Sequence, residues 1–280
     1  MLRFFLATVA DVSCDEADYS LHYARVAAPL AEKYGFGLEL SELCIEDNLA
    51  LYLDGVFPHF EENLRACKHR ILHAPYNEML PHAIDRDVAA VAQRKYAQAY
   101  ALCVRRGIEK MVVHANFDRM NYHPEWFWAR QIAFWKQFLA ERGGSTVICL
   151  ENVTEEEPAL LLNIVSAVDD PRLQICLDVG HANLSPTPVS KWIADCLPHL
   201  SHVHLHNNRG RTDATYPAMD DLHAPLLDGD IDMQNVLAAL KQSGKDITCT
   251  LETARLRESI RDLQILGSSR KVVGIEPSNR

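Results

Sequence analysis

Short apolar runs alternate with longer amphipathic segments along almost the whole chain. The apolar runs are rich in Val, Ile, Leu and Cys, which is typical of parallel strands that are covered on both faces. In the segments between them, apolar residues recur every three or four positions, and this spacing predicts helices. Eight strands are predicted in this way: Leu2–Val9, Gly37–Leu40, Arg70–Ala74, Lys110–Ala115, Thr146–Glu151, Leu173–Asp178, His202–His206 and Ile247–Glu252.

Eight helices are predicted after these strands. Three of them stop immediately before Gly35, Gly107 and Gly143, as expected because glycine tolerates the left-handed conformation that ends a helix. The predicted helices are Tyr19–Tyr34, Asn48–Lys68, Asp87–Arg106, Pro124–Arg142, Glu156–Val168, Pro188–Leu197, Met233–Ser243 and Glu258–Leu266. Eight strand–helix pairs with short connections predict one closed (β/α)8 TIM barrel over residues 1–266, followed by a loosely ordered tail, 267–280.

The hydrophobic strands of this chain end in residues of the types that commonly bind metals: histidine, aspartate and glutamate. In a barrel the carboxyl ends of all strands meet at one mouth, where the active sites of this fold lie. A single histidine at a strand end is usually a structural residue, but six strands that end in this way favour a shared site. The strand-end residues are His73, His114, Glu151, Asp178, His204 or His206, and Glu252, with His181 three positions after Asp178.

Carboxylates gathered at such a mouth repel one another, and a divalent cation relieves the repulsion. Imidazole and carboxylate ligands without cysteine suit Zn, Mn, Fe or Co. The longest irregular segment, 207–231, adds Asp221 and His223, whose alternating spacing turns both side chains the same way if the segment is extended. A solvated acidic loop is the alternative for that pair. We therefore predict a divalent-metal site at the mouth.

Composition restricts the partners and the compartment. The 280 residues carry 28 Lys and Arg against 38 Asp and Glu, a formal charge of −10, which argues against nucleic acid held by phosphate contacts. No apolar run approaches the ~20 residues that span a bilayer, and the N-terminus lacks the pattern of a signal peptide. The eight cysteines include no C-x-x-C pair, so we expect reduced thiols in a cytoplasmic protein.

The motifs together resemble the xylose-isomerase-like superfamily of barrels, which includes sugar isomerases and epimerases and the trinuclear-zinc apurinic/apyrimidinic endonucleases. The resemblance covers nearly the whole chain, and its specificity comes from the order of the motifs. They are HAPY at 73–76, VVH ending at His114, LEN at 150–152, LDVGHA at 177–182, HVHLHN at 202–207, DLH at 221–223, LDGDID at 227–232 and LET at 251–253.

The resemblance implies three sets of metal ligands and therefore one to three ions at the mouth. His204 is preferred to His206 because it matches the H-x-[KNH]-[DN] pattern of the superfamily, although a shift of register would exchange them. One ion would be held by His73, His114 and Glu151, a second by Glu151, Asp178, His204 and Glu252, and a third by His181, Asp221 and His223.

Two reactions are implied. The first is sugar or sugar-phosphate isomerisation or epimerisation through a metal-stabilised enediolate, with Glu151 and Glu252 as paired acid and base. The alternative is an endonuclease IV-like multinuclear zinc phosphodiesterase acting on abasic DNA. Acidic loops at 10–16 and 41–47 favour the first, since an enzyme that grips DNA needs basic loops. The expected substrate-binding residues are Tyr76, His181, His206, Arg209 and Arg211.

Overall fold

Eight parallel strands form a closed barrel in sequence order. The computed structural model describes residues 1–8, 19–54, 65, 67–212, 220–253 and 255–268. The first strand pairs with the second and also with the eighth, which closes the barrel. The predicted (β/α)8 barrel is therefore confirmed.

All eight predicted strands are present, and their ends lie within two residues of the predicted ends. The seventh strand begins two residues earlier than predicted, because Leu200 and Ser201 already lie in the barrel wall. The strands are β1 Leu2–Ala7, β2 Gly37–Leu40, β3 Arg70–His73, β4 Lys110–His114, β5 Val147–Glu151, β6 Leu173–Asp178, β7 Leu200–Leu205 and β8 Ile247–Leu251.

The helices follow the strands as the periodicity predicts, with one addition. The turn after β6 continues as a short helix, Val179–Leu184, in which the side chain of Asp178 accepts a hydrogen bond from the backbone N–H of His181 at 2.7 Å. The described helices are α1 Tyr19–Tyr34, α2 Glu46–Leu53, α3 Arg86–Arg106, α4 Pro124–Ala140, α5 Ala159–Val168, α6 Val179–Leu184, α7 Val189–Cys196, α8 Met233–Gln242 and α9 Leu256–Ser268, with 3-10 turns at Ser41–Cys44 and Leu197–His199.

Part of the prediction falls outside the described residues. The second predicted helix, Asn48–Lys68, corresponds at its start to α2, and most of its remainder is not described. The same holds for the loop 10–16 and for nearly all of the predicted tail. The seven described cysteines are free thiols. Among the helices that the structure describes, none has the length and apolar character needed to cross a membrane.

Beneath the mouth the barrel interior is apolar on β1 and on β3 to β6, whereas β2, β7 and β8 contribute the buried polar residues Glu39, His202 and Thr248. Because successive side chains of a strand point to opposite faces, the outward side chains pack against the helices and the inward ones fill the barrel. The lower layer is an apolar cluster of Phe5, Ile71, Val112, Cys149 and Cys176. Two residues further along these strands, the inward positions on β3 to β6 are the predicted ligands His73, His114, Glu151 and Asp178. On β3 to β6 the fold therefore places buried polar side chains directly above an apolar layer.

Candidate metal centre

The structure brings all nine predicted ligand residues together at the barrel mouth. They form three adjacent groups, and within each group the candidate ligand atoms lie within 4.8 Å of one another. The first group is His73, His114 and Glu151; the second is Glu151, Asp178, His204 and Glu252; the third is His181, Asp221 and His223, joined by His206.

Glu151 links the first two groups. One of its carboxylate oxygens, Oε2, lies 3.4 Å from Nε2 of His73 and 3.4 Å from Nε2 of His114. The other, Oε1, lies 3.1 Å from Nδ1 of His204. The side chain is 1% exposed, and Oε2 has no hydrogen-bond partner among the described residues. A buried carboxylate oxygen without a partner is costly, and a bridging cation would satisfy it.

The second group is centred on Nδ1 of His204. This nitrogen lies 2.9 Å from Oε2 of Glu252 and 3.6 Å from Oδ2 of Asp178. His206 lies two residues further along the chain, and its Nε2 is 3.0 Å from Oδ1 of Asp178. These contacts favour His204 over His206 as the ligand of this group, as the superfamily pattern implies.

Without a cation, protons on histidines balance the carboxylates. Burial by itself would raise the pKa of Glu151, but His204 outweighs it and holds the pKa well below its usual range. Burial would likewise lower the pKa of His204, but the carboxylates around it raise the pKa well above the ordinary value. Burial does prevail at His114 and lowers its pKa to about 3. The pocket therefore needs positive charge among its carboxylates.

The residues present fit a divalent cation. Three buried atoms of these groups that could bind a metal have no hydrogen-bond partner in the described part of the chain. They are Oε2 of Glu151, Oδ1 of Asp221 and Nδ1 of His206. Native proteins seldom leave buried polar atoms unsatisfied, and a bound ion often satisfies those that lack a protein partner. The imidazole and carboxylate donors match the preferences of Zn, Mn, Fe and Co.

Glu39 on β2 supports the centre from below, although it was not among the predicted site residues. Its carboxylate accepts hydrogen bonds from Nε2 of His204 at 3.0 Å and from Nε2 of His202 at 2.9 Å. Burial would raise the pKa of Glu39, but His204 and His202 outweigh it and hold the pKa well below its usual range. The contact turns Nδ1 of His204 toward the other ligands, as carboxylates behind metal-binding histidines commonly do. The charged residue inside the short apolar strand GLEL was the feature of the sequence that could have indicated this role.

The Glu39→Gln variant should bind the cation of the second group on the order of 10- to 100-fold more weakly. Glutamine keeps the size of the side chain but has a single acceptor oxygen and no charge to orient the two histidines. Competition with a chromogenic chelator measures the affinity, and Glu109→Gln, which changes a surface carboxylate paired with Arg3, is the matched control. Equal affinities for the two variants would contradict the positioning role of Glu39.

The predicted substrate-binding residues lie in three different places. A cleft of about 730 Å³ opens beside the ligand groups, and Tyr76, His181 and Arg211 line it. His206 is fully buried and lies among the ligands of the third group. Arg209 instead forms an exposed ion pair with Asp228, at 2.9 Å. The structure therefore places Arg211, rather than Arg209, where a substrate in the cleft would meet it.

The acidic loop after β2 is less exposed than its composition suggests. Glu42 is buried and accepts a hydrogen bond from the hydroxyl of Thr8. Burial raises the pKa of Glu42 to about 8, so the protonated form of this side chain predominates at neutral pH. The loop 10–16 lies outside the described residues. Glu42 therefore adds little negative charge to the mouth at neutral pH, and the charge of the cleft lining is the better guide to the substrate.

Comparison with known proteins agrees with this geometry. Residues 30–268 match the family model described as xylose isomerase-like TIM barrel. An uncharacterised protein of Methanocaldococcus jannaschii, MJ1311, is 24% identical over 227 residues, which are 72% of this chain and 70% of that protein.

Two crystal structures share the fold over nearly their whole length. A D-tagatose 3-epimerase-like protein has a TM-score of 0.70 at 20% identity, covering 94% of this chain and 95% of that one. The TTHB071 protein of Thermus thermophilus, soaked with ZnCl2, has a TM-score of 0.66 at 23% identity, covering 96% and 99%. With its barrel, its ordered motifs and the family model matched over residues 30–268, the chain belongs to the xylose isomerase-like TIM barrel family.

Proposed function

We propose that the protein is a divalent-metal-dependent isomerase or epimerase of a sugar or sugar phosphate. The observation that carries the proposal is the convergence of two glutamates from different strands on one imidazole. Glu151 and Glu252 approach Nδ1 of His204 at 3.1 Å and 2.9 Å. Two carboxylates that share one ligand centre can serve as acid and base on a substrate bound there.

The two glutamates differ in their access to a substrate. The side chain of Glu252 is 23% exposed, whereas that of Glu151 is 1% exposed. Burial would raise the pKa of Glu252, but His204 outweighs it and lowers the pKa, so Glu252 is a carboxylate at neutral pH and can accept a proton. In an epimerase Glu151 would be the partner group on the other face of the carbon, and it would have to take up a proton before it could deliver one.

A divalent cation held by Glu151, Asp178, His204 and Glu252 would polarise two neighbouring substrate oxygens and so acidify the C–H bond between them. Tyr76 would contact the substrate from the adjoining cleft. Arg211 on the same lining could bind hydroxyls, or a phosphate through its planar guanidinium group. The similarity of the fold to a D-tagatose 3-epimerase-like protein supports this substrate class.

A multinuclear phosphodiesterase is the second candidate, because the three ligand groups adjoin one another. Clustered cations suit the in-line displacement of a phosphodiester. The charge of the cleft disfavours it, since a DNA backbone requires basic contacts. Five carboxylates line the cleft against two arginines; the acidic residues are Glu78, Asp118, Glu155, Glu156 and Asp221, and the basic ones are Arg119 and Arg211.

Solvent deuterium exchange tests the proposed function. Protein loaded with Zn, Mn or Co and incubated in D2O with ketoses and ketose phosphates should place deuterium on the carbon next to the carbonyl. The Glu252→Gln variant should lose on the order of 10²- to 10⁴-fold in this rate. The control is Glu258→Gln, which changes an exposed glutamate paired with Arg255. Metal-dependent nicking of an abasic duplex, with no exchange into any sugar, would contradict the proposal.

A further inference from the structure

The third ligand group contains three histidines that share one arrangement. In each ring, one nitrogen is bonded to an acceptor of the barrel wall. Nδ1 of His181 donates to the carbonyl oxygen of Asn152 at 2.9 Å, and Nδ1 of His223 donates to the carbonyl oxygen of Glu252 at 2.8 Å. Nε2 of His206 lies 3.0 Å from the carboxylate of Asp178. Such contacts fix the tautomer and ring orientation of metal-binding histidines.

The other nitrogen of each ring faces the carboxylate of Asp221. Nε2 of His181 and Nε2 of His223 each lie 3.1 Å from Oδ2 of Asp221. Nδ1 of His206 lies 3.9 Å from Oδ1 of Asp221, too far for a hydrogen bond. Both atoms of this last pair are buried and have no hydrogen-bond partner in the described part of the chain. Three imidazole nitrogens and one carboxylate thus enclose a common point.

The backbone of α6 makes room for the ring of His206. A β-carbon at Gly180 would lie 1.9 Å from Cε1 of His206, so only glycine permits this position of the ring. The ring of His206 also stacks on that of His223, with centroids 4.0 Å apart and planes 10° apart. His206 is fully buried. The placement of His206 beside His223 is therefore determined by packing.

We propose that His206 is the fourth protein ligand of a closed metal site formed with His181, Asp221 and His223. Three nitrogens and one oxygen suit tetrahedral Zn²⁺, and four protein ligands leave no position for a substrate or hydroxide. The ion at this site is therefore structural. It ties Asp221 and His223, from the segment after β7, to the wall formed by β7 and α6. This role does not depend on the reaction proposed for the second group, although His206 also contacts Asp178 of that group.

Metal content and cobalt spectroscopy test the site. After dialysis against a limiting chelator, the His206→Asn variant should retain about one equivalent of Zn fewer than the wild type, and its third-site affinity should fall on the order of tenfold or more. The Co²⁺-loaded wild type should show the intense visible band of a four-coordinate centre, and the variant should lose that component. His82→Asn, at a buried histidine bonded to Gln131, is the matched control.

Each alternative result has a defined meaning. If His206→Asn keeps the tetrahedral band but loses an equivalent elsewhere, then His206 acts only by orienting Asp178, and the proposal is overturned. Unchanged metal content and spectrum overturn it as well. If the variant fails to fold, histidine nitrogen NMR of the Zn-loaded wild type decides, because His181, His206 and His223 should each show one metal-bound nitrogen. A metal-free nitrogen at His206 refutes the proposal.

Amide exchange provides a readout that does not involve activity. The backbone amides of residues 220–224 should gain protection when Zn is added to the wild type, since two of the ligands lie in this segment. The His206→Asn variant should gain much less protection there, and His82→Asn should gain as much as the wild type. Equal protection in all three proteins would show that the fourth ligand does not hold the segment.

Discussion

Replacing Glu151 with glutamine is expected to lower proton exchange into the substrate on the order of 10³-fold or more. The proposed reaction uses this carboxylate as one of the two proton-transfer groups. In addition, Glu151 is the residue shared by the first and second ligand groups. The glutamine amide retains one oxygen that binds a metal only weakly. Its NH2 group would face either the imidazoles of His73 and His114 or that of His204. The substitution therefore removes acid–base chemistry and two sets of metal contacts together.

Metal analysis and kinetics separate these two effects. Glu151→Gln should bind fewer equivalents of cation than the wild type, and saturating cation should not restore the rate. Glu141→Gln, at an exposed position after α4, controls for the change of charge. A variant that keeps its full metal content and at least a tenth of the wild-type exchange rate would show that Glu151 is neither a shared ligand nor a proton-transfer group.

The fold was predictable because the strands of a barrel with covered faces are almost uniformly apolar. The strand Lys110–His114 illustrates this, since Met111, Val112 and Val113 are all fully buried, Val112 in the barrel interior and the other two against the helices. The convergence of the candidate ligands at the mouth was predictable for the complementary reason. A histidine or glutamate at the end of such a strand has no place in the apolar layers, so its position along the chain indicates the mouth.

Contacts between distant strands were harder to predict. The support that Glu39 gives to His204 joins residues 165 positions apart, and no local pattern relates them. The period of two along β7 does place His202, His204 and His206 on one face. It does not show that the first bonds Glu39, the second joins Glu151 and the third faces Asp221. These roles depend on depth in the barrel, which the sequence does not encode locally.

Loop residues were predicted least well, because their partners depend on tertiary structure. Arg209 and Arg211 are two positions apart in the same segment, yet one pairs with Asp228 on the surface and the other lines the cleft. The short helix α6 was missed for a different reason. Its six residues are too few to show a helical period, and the N-terminal cap by Asp178 became visible only in the structure.

Removing the bound cations should lower the melting temperature, and the loss should be greater at pH 9 than at pH 6.5. At a free cation concentration about a thousandfold above Kd, one ion adds about 4 kcal/mol to the free energy of unfolding. Each kcal/mol corresponds to roughly 2–4 °C in a domain of comparable size. A chelator should therefore lower Tm by on the order of 10 °C for each ion removed.

The pH dependence follows from the histidines that replace the cation in the metal-free protein. Burial would lower the pKa of His223, but its bond to Asp221 and the charge of Glu252 outweigh this and raise the pKa to about 9. The pKa of His181 is also raised, by Asp178 and Asp221 against the effect of burial. A raised pKa stabilises the fold below the unfolded value of about 6.5, and this contribution is lost as the pH rises through the folded value.

The metal-free protein should lose stability at acidic pH as well as at alkaline pH. The pKa of His114 is lowered to about 3 by burial, so its contribution is present above about pH 6.5 and is lost as the pH falls. The metal-free protein should therefore be most stable near pH 6.5. The cation binds deprotonated ligands more tightly as the pH rises, so the metal-loaded protein should keep its Tm to pH 9. Thermal melts with and without a chelator, repeated after Zn is restored, measure the difference in Tm. An equal loss of Tm at pH 6.5 and pH 9 would contradict the exchange of protons for metal at this mouth.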